Sequence, residues 1–127
     1  MESHFDEHRE FLRVGHETHL NYKEVREAKM TPKNQVITKN ISACGLLFRT
    51  ENIPPALSSI IWVELDERIM NICHEIETDL VMKDSGIFGK VVRIAEGEPG
   101  VSYDVGICFL RKKDLSDKEI QELLPDE

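Results

Sequence analysis

The chain has 127 residues, room for one globular unit of the usual size. Its 40% hydrophobic and 31% charged residues, with only 7 Gly and 5 Pro, exclude a fibrous, low-complexity or wholly disordered chain. Its 16 basic against 24 acidic side chains give a net charge of −8, which argues against a general binder of DNA or RNA, because a duplex must be met by a basic face.

The first seven residues hold three acids and no base, where a secretory leader would be basic and then apolar, so a cytoplasmic chain is expected. No apolar run approaches the roughly 20 residues that cross a bilayer, so no membrane insertion is expected either. Residues 1–13 read as a flexible arm with Phe5, Phe11 and Leu12 as its large apolar anchors. The arm carries Arg9 and Arg13 in an RxxxR pattern. Two guanidinium forks at that spacing can converge on one anion, each able to grip a phosphate or the O6/N7 edge of guanine. A solvated pair bridging Glu7 or Glu10 is the plainer reading of the same residues. His4 and His8, then His16 and His19, have ligand-like spacing, but no further ligands follow at tetrahedral-site spacing, so no metal is expected.

Residues 14–111 read as a barrel of short antiparallel strands. Turn-forming clusters fall at close intervals, and between them the hydrophobic period is two. A first strand is expected over about residues 17–29, where Leu20 and Tyr22 alternate with polar neighbours, and residues 34–41 return antiparallel after the Thr31-Pro32-Lys33-Asn34 turn. Residues 46–49 form a short third strand. Ile61, Val63 and Leu65 alternate with Ile60, Trp62 and Glu64, and Met70, Ile72, His74 and Ile76 continue the alternation past Asp66-Glu67-Arg68, which predicts a hairpin. Residues 88–95 and 102–110 predict another, joined by Gly97-Glu98-Pro99-Gly100. Tyr103, Val105, Ile107 and Phe109 line one face of its second strand. Six or seven such strands close as a small antiparallel barrel, which removes exposed edges.

Over residues 114–124 the period changes. Ser116 and Glu119 make an S-x-x-E capping box, with Leu115 and Ile120 placed as a hydrophobic staple, so a C-terminal helix is expected. Ile120, Leu123 and Leu124 would form its buried stripe, and the helix reads as a lid or plug. Cys44, Cys73 and Cys108 are odd in number and widely spaced, which predicts buried, reduced thiols rather than disulfides or a zinc knuckle.

The other motif is Asn40-x-Ser42-x-x-Gly45, between the second and third strands. An amide, a hydroxyl and a glycine at this spacing suit a tight connecting loop that can hydrogen-bond a ligand or cap itself. Residues 14–50, which span the region between the two motifs, hold six basic and three acidic side chains, a local surplus of +3 in an acidic chain. That surplus suits a small anionic ligand. No nucleophile with a base in recognisable context and no paired-acid motif appears, so the chain is read as non-catalytic and cofactor-free.

RxxxR, then N-x-S-x-x-G one hairpin later, then Gly89-Lys90-Val91-Val92-Arg93-Ile94 and Tyr103-Asp104-Val105-Gly106-Ile107-Cys108-Phe109 before a C-terminal helix, resembles a PilZ domain over residues 8–124. The resemblance implies a single domain, a six-stranded antiparallel β-barrel that binds the bacterial second messenger cyclic di-GMP and signals to a downstream protein partner. It implies ligand contacts from Arg9, Arg13, Asn40, Ser42 and Gly45. Arg93 is a further candidate, as a cation able to stack on guanine, or else a plain surface charge. Two departures stand out: Asn40 occupies a position where many relatives have Asp, which lowers the expected affinity, and His8 occupies one where some have a third arginine. The alternative reading is an adaptor on the same barrel that binds a protein and no nucleotide, motivated by residues 51–84, where eight acids face two bases. A small barrel enzyme or flavin-binding barrel ranks last.

Overall fold

The computed structural model describes residues 18–26, 29–42 and 44–124. Among them, eight strands form one antiparallel sheet: β1 (Thr18–Arg26), β2 (Lys29–Met30), β3 (Asn34–Ile41), β4 (Gly45–Thr50), β5 (Ile60–Glu64), β6 (Met82–Lys83), β7 (Gly86–Glu96) and β8 (Tyr103–Phe109). The order β1-β3-β4-β8-β7-β5 returns to β1 through a β1–β5 ladder, so six strands close into a barrel. The two-residue strands β2 and β6 lie outside that circle, paired with β1 and β7.

Inward-facing residues follow from strand alternation. Leu20 and Tyr22 of β1, Phe48 of β4, Ile61 and Val63 of β5 and Val105, Ile107 and Phe109 of β8 all join one inner cluster. At its centre the rings of Tyr22 and Phe48 stack with centroids 5.1 Å apart. Burial pushes the Tyr22 hydroxyl up to about 12, with Glu24 adding to the shift.

The expected hairpin after β5 is not formed. Residues Glu67–Ile76 are a helix, α1. Asp66 is its N-cap, its carboxylate accepting from the Ile69 N–H at 2.9 Å, and Glu67 adds an acid to the first turn. Taking every second residue from Met70 overlooks Ile69 and Cys73. With them, the apolar set falls at 69, 70, 72, 73 and 76, the spacing of a helix face. Met70 and Cys73 enter the inner cluster, so the helix that plugs the barrel is α1 rather than the C-terminal one.

The C-terminal helix is α2 (Asp117–Leu123), and its expected cap is present. Ser116 accepts from the Glu119 N–H at 3.1 Å while the Glu119 carboxylate accepts from the Ser116 N–H at 2.8 Å. Hydrogen bonding from the Ser116 backbone N–H, with the Ser116 side chain adding to it, holds the Glu119 carboxyl below the usual carboxylate range. Leu123 and Leu124 pack on Trp62, Val81 and Phe88, an outer cluster, with Leu115 and Ile120 alongside. Trp62 is fixed there by its indole N–H donating to the Lys83 carbonyl at 2.9 Å, and its ring lies against Gly86, where a side chain would collide with it.

Of the three thiols only Cys73 is buried, and burial raises it to about 11. Cys44 and Cys108 are exposed, contrary to expectation: Cys44 sits at the bend before β4, and Cys108 takes the outward phase of β8.

Candidate functional site

Asn40, Ser42 and Gly45 do come together, at one end of the barrel between β3 and β4. Ser42 closes the loop, its N–H donating to the Gly45 carbonyl at 2.8 Å and its hydroxyl accepting from the Cys44 N–H at 3.3 Å. Gly45 is required by backbone packing. A side chain there would run into the Ile107 carbonyl oxygen on β8, and the Cys44 carbonyl accepts from the Phe109 N–H at 2.8 Å next to it. Ser42 and Gly45 therefore build the loop. Asn40 is the exposed member, its amide turned to solvent. The three residues, with Leu47 and Cys108, line an open hollow of about 350 Å³.

Strict alternation would bury Asn40. Val36 and Thr38 of β3 face inward, so a residue two further on should follow them. A β-bulge at Lys39 breaks the phase: Thr38 pairs with Phe48 and Asn40 with Leu47, leaving Lys39 as the extra residue. Ile41 then turns inward and Asn40 outward. The same happens on β7. Ile87, Gly89 and Val91 are buried, and Arg93 would continue that face, but a bulge at Val92 turns it to solvent opposite Gly106. Both candidate polar side chains on the strands lie immediately after a bulge that points them outward.

The registers put these residues in one row. Asn40 pairs with Leu47, Leu47 with Gly106, and Gly106 with Arg93, so β3, β4, β8 and β7 contribute one outward position each. At about 4.8 Å between strands the row is roughly 14 Å long. Its floor is one half-buried leucine and one glycine, and a side chain at Gly106 would come near Arg93 alone, its Cβ at 3.4 Å. The row is therefore flat and open in the middle, polar at one end and cationic at the other.

Two residues along β4 and β8, on the same outward face, lies an ion pair. Arg49 grips Asp104 with both forks, Nε at 2.9 Å and Nη2 at 3.4 Å. Those hydrogen bonds hold the Asp104 carboxyl below its ordinary value, and the charges of Arg49, Lys39 and Arg93 act in the same direction. Lys39, Arg49 and Arg93 thus all bear on one acid beside the row.

Leu47, Gly106 and Lys39 were not among the sequence candidates. The single available sign was the glycine inside the otherwise regular strand Tyr103–Phe109, since such a glycine marks a bulge or a surface left clear. Arg9 and Arg13 lie outside the described residues. Among the described residues, no group of three or more His, Cys, Asp and Glu could hold a metal ion, and no helix is long and apolar enough to cross a membrane. Compared with known proteins, the chain matches no family model, no curated protein and no solved structure.

Proposed function

We propose that this protein is a non-catalytic, cytoplasmic receptor for cyclic di-GMP of the PilZ kind, which passes the signal to a partner protein. The observation that carries the reading is the row Asn40–Leu47–Gly106–Arg93, open at its centre and ending on the exposed cation Arg93. A cyclic dinucleotide has flat bases, which need a clear apolar surface, and two phosphates, which need fixed positive charge. Leu47 and Gly106 supply the surface, and Arg93 can stack on a base. Asn40 offers an amide to a guanine edge, with a weaker bond than a carboxylate would make to guanine N–H groups. Arg9 and Arg13, reaching over from the N-terminal arm, would complete the phosphate contacts, and ordering that arm is the signal a partner reads.

An amide NMR titration with cyclic di-GMP tests the site. Shifts at Asn40, Ser42, Gly106 and Arg93 moving together are expected, and shifts absent there would contradict the reading. Gly106→Val separates binding from folding. Valine suits a strand better than glycine, so stability should hold or rise, while its side chain would stand in the middle of the row and weaken the nucleotide by at least about tenfold.

A further inference from the structure

The ladder that closes the barrel stops early. Its last paired step is Glu24 opposite Ile61. Beyond it β1 runs on to pair Val25 and Arg26 with β2, while the chain leading into β5 is drawn the other way. There the Ser58 N–H donates to the Val91 carbonyl at 2.7 Å and the Ser59 carbonyl accepts from the Val91 N–H at 2.9 Å. The two strands fork. Two hollows of about 580 and 470 Å³ open in the fork and share Val25 and Ser59 as walls, so they form one groove. None of its lining residues belongs to the hollow at Asn40 and Gly45.

One half of the groove is floored by Ile60, Leu115 and Leu123, the other by Pro54 and Ala56. On the loop between β4 and β5, Ile53, which lines the Pro54–Ala56 half, is 89% exposed, and Leu57, next to Ala56 in the chain, is 59% exposed. Single exposed aliphatics are ordinary, but two of them beside an apolar groove make an interaction surface. That loop is held in place, since Pro55 is buried and Ser58 and Ser59 are pinned to β7.

The rim decides what fits. Glu24 is paired with Arg26 at 2.8 Å, and Lys90 bears on Glu119, which leaves Glu122 of α2 facing water at the edge of the groove. The chain as a whole carries a net charge of −8. An acidic segment, or a second copy of this chain, would meet like charge there.

We infer that the fork between β1 and β5 is a docking groove for a basic, leucine-rich segment of a partner protein. Its aliphatic side chains lie against Leu57 and the groove floor, and its lysines or arginines lie toward Glu122. The inference does not rest on nucleotide binding.

The test is an amide NMR titration of the full-length protein with a short amphipathic peptide of leucine and lysine, and with its leucine and glutamate counterpart. Shifts should concentrate at residues 25, 53–60 and 115–123 for the lysine peptide alone. Leu57→Ser and Glu122→Lys, both at exposed positions, should each weaken it by about fivefold or more with the rest of the spectrum unchanged. Equal binding of the glutamate peptide, shifts spread over the acidic surface elsewhere, no shifts at all, or unchanged affinity in both variants would overturn the inference. Self-association of the free protein that disappears in Leu57→Ser would overturn it too, by making a second copy the occupant.

Discussion

The inner and outer clusters differ in how they are held. The inner one gathers side chains from the six strands of the closed circle and from α1, so every element that borders it is also tied by ladder hydrogen bonds or by a helix cap. The outer one depends on a seven-residue helix, α2, resting on Trp62, Val81 and Phe88. A helix that short is marginal without tertiary contact. The lesson is two tiers of stability: a barrel that holds its own shape, and a cover that can loosen without unfolding it. The Asn40–Arg93 row sits on the strands of the first tier, while the groove at the β1–β5 fork borders the second.

Breaking the inner tier should cost most. Phe48 is fully buried and stacked on Tyr22, so Phe48→Ala should lower the unfolding free energy by about 3–5 kcal/mol in denaturant melts. Leu123→Ala should cost about 2 kcal/mol, with amide exchange accelerating in α2 and little changed in the barrel. A cost as large as that of Phe48→Ala, with the whole spectrum collapsing, would merge the tiers into one.

Alkaline pH should find the inner tier first, because both strongly raised acids lie in it: Tyr22 at about 12 and Cys73 at about 11. Their folded values lie above their unfolded ones, so the fold favours the protonated forms. The stability they contribute is complete below about pH 8.5, the unfolded thiol value, and is lost as pH rises through 11 and 12. Tyr22→Phe should flatten the upper part of that loss in melts recorded across the range. The smallest effect is expected at the cap, where Ser116→Ala should cost about 1 kcal/mol and fray α2 by circular dichroism.

The strands whose alternation is strict were legible in the sequence. Tyr103–Phe109 and the inward set of β5 read correctly because a residue's neighbours two away settle its face. The C-terminal helix was legible through Ser116 and Glu119, a local pattern with a local cause. α1 was not, since a run with apolar residues at 69, 70, 72, 73 and 76 contains an alternating subset, and the N-cap Asp66 also passes for a turn residue. Of the site, the loop from Asn40 to Gly45 was readable from its amide, hydroxyl and glycine. The row was not. It depends on two bulges, each a single extra residue with no mark in composition, and on cross-strand register, which joins positions more than 50 residues apart.

The site proposed for cyclic di-GMP is the outward row of the barrel, completed by the arm arginines. Calorimetric titration of the full-length protein, alongside an Arg9→Ala, Arg13→Ala double variant, tests it most directly. The account predicts saturable heat for the native chain at protein concentrations on the order of tens of micromolar and a loss of at least about tenfold in affinity for the variant. No heat from the native chain, or equal affinity in the two proteins, would contradict it.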